Sequence, residues 1–195
     1  EALNSMIKKT IKDHKRILFN GNGYDDSWIV EAEKRGLCNY KTTVDCMPHL
    51  ADEKNVKMLT EQGVFTEKEI HSRVEIMLEN YCKTVTIEAN TMVDMAKRQI
   101  LPAIVEYVKE VSKEANGKLA FAPAASTVYE RKVVEKLSSC AEGILARTEE
   151  LEGLIAGLKG YSDIEAEGCE IRDHLLPKME ELRAKIFLMG CFVMT

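Results

Sequence analysis

An all-α fold, with a small helical N-terminal region followed by an antiparallel three-helix bundle of long helices, is what three features of this 195-residue sequence predict. Aromatic residues are only 6% of the chain, so a core must be built mainly from Leu, Ile, Val, Met and Ala. Apolar residues recur at helical spacing over the last two thirds of the chain. Three segments of the form Ser/Thr-x-x-Glu stand where helices would begin.

The elements follow in order. A first amphipathic helix fits Ala2 to His14, with Leu3, Met6 and Ile11 near one face. Ile17-Leu18-Phe19 reads as extended chain, stopped by the turn Asn20-Gly21-Asn22-Gly23. A second helix starts at Asp25 or Asp26, whose carboxylate can cap free N–H groups, and runs to Gly36. A third spans Ala51 to Gln62 and stops at Gly63, a residue suited to the left-handed conformation.

The first capping box is Thr66-Glu67-Lys68-Glu69. Behind it apolar positions recur at Ile70, Val74, Met77 and Tyr81, then at Met92, Ala96, Ile100, Ile104, Val108 and Val111, until Asn116-Gly117 signals a turn. Pro102 predicts a kink, because proline removes one ladder bond and crowds the preceding turn. Val85-Thr86-Ile87 is the weakest helical stretch by propensity.

A second box, Thr127 to Glu130, opens a heptad seam of Val133, Leu137, Cys140, Ile144, Arg147, Leu151, Leu154 and Leu158, which only Arg147 interrupts. After Gly160 a third box, Ser162-Asp163-Ile164-Glu165, starts a last helix. It carries Ile164, Ile171, Leu175, Met179, Leu182 and Ile186 on one stripe, and Pro177 predicts another kink. The link from Lys159 to Ser162 is short enough to make these two helices antiparallel.

Charge excludes one class of partner. Residues 1–65 carry ten basic and ten acidic residues, 66–116 seven and nine, and 117–195 ten and thirteen. No segment has the basic excess of a nucleic-acid footprint. A membrane partner is not expected either, since the longest uncharged apolar run, from Ile186, has ten residues and is too short to span a bilayer. The six cysteines, Cys38, Cys46, Cys82, Cys140, Cys169 and Cys191, show no metal-type spacing and read as buried free thiols of a cytoplasmic protein. The chain opens on Glu1-Ala2 without an initiator Met, which fits a fragment or a processed chain.

Candidate chemistry is sparse. Gly21-Asn22-Gly23 could imitate a phosphate loop, but the dinucleotide pattern wants a third glycine where Asp26 stands. Glu67, His71 and Glu75 share one helical face, which equally describes a solvated face with favourable side-chain pairs. His174, beside Asp173 and four residues after Glu170, is no stronger, and His14 and His49 have no recognisable partner set. Glu88, Asn90 and Thr91 fit an outward face or a buried polar network, with periodicity favouring the first. Met77, Met92 and Met95 read as core filler more than as a recognition groove. No nucleophile, base and orienter fall together. The residues therefore name no catalytic, cofactor-binding or metal site.

Three stretches carry a resemblance. HKRILFNGNGYDDSWIVEAEKRGL from His14, TTVDCMPHLADEKNVKMLTEQGVFTEKEIHSRVEIMLENYCKTVTIEANTMVDMAKRQILPA from Thr42, and the helices beyond, to about Ala184, resemble the C-terminal region of type III glutamine synthetases. Gly-Asn-Gly-Tyr and Lys-Arg-Gln-Ile-Leu-Pro are its most distinctive parts. The segment from MPHL to GVFTEKEI is similar to the close of the synthetase catalytic domain. The resemblance thus implies a tail of the catalytic region over 1–65 and a type III extension of long helices over 66–195.

It further implies a parent enzyme that ligates ammonia to glutamate using ATP with Mg²⁺ or Mn²⁺, in large double-ring oligomers. The acidic metal ligands and phosphate-binding arginines of that chemistry would lie upstream of Glu1. The expected role here is structural assembly in the cytoplasm, through self-association and contact with the upstream catalytic domain, with no cofactor of the segment's own. A stand-alone helical interaction module is the alternative. The last residues, Ala184 to Thr195, depart from the family's aromatic and proline-containing close. So apolar a terminus is expected to pack on the bundle or on a second chain.

Overall fold

In a computed structural model the chain is all-α. The structure describes residues 1–194, with side chains described through Gly190, and contains no strand among them. The N-terminal lobe holds α1 (Ala2–Asp13), α2 (Asp26–Lys34), α3 (Thr43–Cys46) and α4 (Glu53–Glu61), with 3₁₀ turns at Lys15–Ile17 and Pro48–Ala51. Three helical rods follow. The first is α5 (Glu67–Met95), a π-turn (Ala96–Ile100) and α6 (Leu101–Phe121); the second is α7 (Val128–Leu158). The third is α8 (Ile164–Glu170), a second π-turn (Ile171–Leu175) and α9 (Leu176–Met194).

The lobe is punctuated by local chemistry. Asp25 Oδ1 accepts from Ser27 N–H at 2.8 Å and starts α2. Gly36 and Gly63, at φ +73° and +67°, take the left-handed positions after α2 and α4 that side chains resist. Sequence reading missed α3, whose box pairs Thr42 with Asp45. The expected apolar face of α1 is present but uncovered, since Leu3, Met6, Ile7 and Ile11 are all exposed.

The bundle core runs along all three rods. From the first come Cys82, Val85, Ala89, Val93, Ala96, Ile104 and Val111; from the second Val133, Leu137, Ile144, Leu151 and Leu158; from the third Ile171, Leu175, Met179 and Leu182. The stripe expected through Met77 and Tyr81 passes instead through Leu78 and Cys82, one position on, and Met77 is exposed. Both rows are apolar over this stretch, so spacing alone could not choose between them. Asn116-Gly117 does not stop the first rod, which continues to Phe121. A single helical glycine costs only about 1 kcal/mol.

The heptad register also moves. From Ile144 the buried seam steps four residues to Thr148, which is 0% exposed, and then three to Leu151. Thr148 satisfies its hydroxyl by donating to the Ile144 carbonyl at 2.8 Å. Arg147 lies beside the seam, so the expected interruption is absent; Cys140 and Leu154 are only partly buried. Two expected capping boxes are replaced. Thr127 makes no side-chain cap, because Glu130 turns inward, 6% exposed, to pair with Lys118. At the third rod Asp163, not Ser162, caps by accepting from Glu165 and Ala166 N–H groups.

The expected discontinuities at Pro102 and Pro177 take the same form in both rods. Each proline stands two residues after a π-turn. The carbonyls four residues back, Arg98 and Asp173, therefore lie inside the wider π ring, which relieves the proline–carbonyl clash. Lys97 in the first turn reaches Glu152 of α7 at 2.5 Å.

Candidate functional site

Two surfaces concentrate the chain's unusual features. One is the junction where the N-terminal lobe meets the bundle. The Thr42–Asp45 box fixes α3 so that Val44 points inward, 3% exposed. A β-carbon placed on Gly168 would lie 2.8 Å from Val44 Cγ2 and 3.7 Å from Cys82 Sγ, so only glycine admits this approach. Arg172 closes the junction, donating from Nη1 to Asp45 Oδ1 at 2.6 Å and from Nε to Asp173 Oδ1 at 2.7 Å.

The titratable groups respond accordingly. The Thr42 hydroxyl, then the Arg172 guanidinium, hold the Asp45 carboxyl below the usual carboxylate range. Arg172 does the same to Asp173. Burial pushes the Cys82 thiol up to about 11. The Tyr81 hydroxyl is buried with no hydrogen-bond partner, and burial raises its pKa too.

The second surface is an apolar groove between α5 and α9, about 640 Å³ in volume. Ile87, Met92, Met95 and Ile100 line one wall, and Met179, Ile186 and Phe187 the other. Glu88 and Arg183 also line it, one on each helix. Beyond Ile100 a second apolar cavity of about 370 Å³ continues along Ala103, Ile104 and Tyr107 to Met189. The apolar C-terminal run thus divides. Ile186 and Met189 pack on the core, while Phe187 and Leu188 stay 70% and 67% exposed. Side chains 191–195, including Cys191, lie outside the described residues.

The residues weighed from sequence scatter. Gly21 lets the chain turn against the Phe19 ring, 2.4 Å from where its β-carbon would stand, and Asn22 Oδ1 accepts from Tyr24 N–H at 3.1 Å. Glu67, His71 and Glu75 are exposed, and the described residues hold no cluster of three metal-ligating side chains. His174 stands 3.9 Å from Glu170, whose carboxylate also accepts from the Tyr161 hydroxyl at 3.1 Å. Glu88, Asn90 and Thr91 face outward.

Three expectations are corrected. His49 does have partners: its Nδ1 lies 3.0 Å from Asp52 Oδ2, and its ring stacks on Tyr40 with centroids 4.3 Å apart. Met92 packs on the core as expected, but Met95 is exposed, and both line the groove wall. Among the described cysteines only Cys82 is buried, and Cys38 is exposed. The Asp52 that follows His49 by three positions was the signal available for the first.

The class the fold defines is a helical lobe docked on a bundle of long helices, with apolar surface left open between α5 and α9. The sequence places it further: the chain belongs to the glutamine synthetase C-terminal domain family, whose description matches residues 2–118. It is 37% identical over 193 residues to a glutamine synthetase of Butyrivibrio fibrisolvens, covering 95% of this chain and 28% of that protein. It is 30% identical over 186 residues to a type-3 glutamine synthetase of Dictyostelium discoideum, covering 93% and 25%. A glutamine synthetase of Bacteroides fragilis (strain YCH46) is 34% identical over 107 residues, 55% of this chain and 15% of that protein. The chain thus spans about a quarter of the length of the first two relatives. No described helix is long and apolar enough to cross a membrane.

Proposed function

We propose that this chain is the C-terminal assembly segment of a cytoplasmic glutamine synthetase, which ligates ammonia to glutamate with ATP, and that it carries no active site of its own. The observation that carries this reading is the α5–α9 groove, an apolar cleft with Phe187 exposed at its edge. Water is a poor occupant for such a surface. Burying three large apolar side chains contributes roughly 4–9 kcal/mol before ordering and association costs.

A second copy of the chain fits the groove best. Glu88 and Arg183 carry opposite charge on its two helices, so a two-fold arrangement sets Glu88 of each copy against Arg183 of the other around an apolar centre. The uncovered face of α1 (Leu3, Met6, Ile7 and Ile11) is assigned to the upstream catalytic domain. ATP and Mg²⁺ or Mn²⁺ belong with that domain.

Light scattering tests the reading on the full chain, on a chain ending at Ala184, and on Met95→Asp. The expected result is a dimer for the first and monomers for the other two. A monomeric full chain removes the assembly role. Calorimetry with MgATP is expected to give no binding heat; micromolar binding would place a nucleotide site in this segment and overturn the proposal.

A further inference from the structure

Charge is distributed unevenly along the seam between α7 and α9. Lys178 holds two carboxylates, Glu150 of α7 at 3.2 Å and Glu181 at 2.9 Å. Further along the same seam, no carboxylate among the described residues pairs with Arg147 or Lys185. Arg147 donates from Nη1 to the Gly143 carbonyl at 3.1 Å, and its Nε is buried without a partner. Lys185 enters no hydrogen bond or ion pair among the described residues.

The two cations converge because position 143 is glycine. A β-carbon there would lie 3.3 Å from Lys185 Nζ and 3.6 Å from Arg147 Nη1, so the two nitrogens stand within about 7 Å of each other. Both side chains are half-buried, and the enclosed Nε keeps the guanidinium stem against the helices. Arg147 therefore cannot relieve the repulsion by swinging fully into water, the usual course for a long basic side chain.

We propose that Gly143, Arg147 and Lys185 form a binding site for a phosphoryl dianion, either free phosphate or the phosphate of a small monoester. A dianion neutralises both cations at once, and its oxygens can accept from the guanidinium fork and the ammonium together. A single carboxylate would neutralise only one. The site lies on α7 and α9 and does not depend on the assembly role.

The test is the melting temperature of the full chain at pH 7.5 in sodium phosphate, in glycerol phosphate and in sodium chloride, all at equal ionic strength, together with the ³¹P linewidth of each phosphate. At about ten times the dissociation constant the wild type is expected to melt about 2–6 °C higher in a phosphate that binds than in chloride, with a broadened ³¹P line. A response to glycerol phosphate alone would assign the site to monoesters, and a response to both would include the free ion. Lys185→Gln and Arg147→Gln, both at half-buried positions, are expected to abolish the increment and the broadening. In chloride, Lys185→Gln is expected to melt no lower than wild type, since it removes one of two facing like charges. Equal wild-type melting in all three salts would overturn the proposal. So would a full phosphate response in Lys185→Gln, or a lower melting point of that variant in chloride.

Discussion

Arg172 Nη1 and Asp45 Oδ1 lie 2.6 Å apart, although 127 positions separate them in the chain. This contact ties α3 to the third rod, and Arg172 also holds Asp173. Both carboxyls are depressed in the folded protein, Asp45 by Thr42 and then Arg172, Asp173 by Arg172. A depressed carboxyl contributes stability that is present above its unfolded pKa, about 3.9, and is lost as pH falls through the folded value. Arg172→Leu is expected to lower the melting temperature at pH 7 and to flatten its decline below about pH 4. Melting curves from pH 2 to 7 check this; parallel wild-type and variant curves would show the pairs are without effect.

The Gly168–Val44 approach is expected to tolerate no added carbon. Gly168→Ala gains helix propensity but forces its β-carbon against Val44 Cγ2. It should cost on the order of 1–3 kcal/mol by overpacking. Val44→Ala opens space, so the double variant should be more stable than the two single losses together predict. Urea titration of the four proteins measures that coupling, and strict additivity would mean the contact relaxes freely.

Thr148, not Arg147, is the residue whose replacement should break the bundle. Thr148→Asp puts a carboxylate at a 0% exposed seam position and is expected to prevent folding. Arg147→Ala should remain folded. Leu151→Ala, also fully buried, should cost on the order of 2–5 kcal/mol. Circular dichroism ranks all three, and a folded Thr148→Asp would refute this register.

The cysteines should separate by rate. Cys82 is buried, with its thiol pushed up to about 11, whereas Cys38 is exposed. Ellman's reagent at pH 8 should label Cys38 within the first phase and Cys82 only on unfolding. Mass spectrometry of the labelled peptides identifies each site.

Much of the helical order was legible because local chemistry decided it. Thr66 and Glu69 form their box, Gly36 and Gly63 stop their helices, and Ile171, Leu175, Met179 and Leu182 are buried as their spacing predicts. What could not be read depends on distant partners. Glu130 abandons Thr127 for Lys118, which arrives from the preceding rod. His49 stacks on Tyr40, nine positions back, only when the lobe folds, whereas its Asp52 partner three positions on was legible. The groove is formed by helices about ninety positions apart, so no local pattern announces it. The shift from Met77 to Leu78 failed differently: two adjacent apolar rows gave spacing no basis for choice.

The two π-turns bear on how the chain's length can change. From Ala96 the core-side positions run Ile100, Ile104 and Val108, three steps of four with no intervening three, as follows when one surplus residue is absorbed in a turn. Deleting a residue between Lys97 and Gln99 would restore an ordinary α-turn and leave the faces on either side in phase. The same deletion in mid-α5 would rotate everything beyond it by about 100° and bring the charged rows toward the core. The long first rod therefore has one place where a codon can be lost without scrambling its buried face, and the third rod has another beside Pro177.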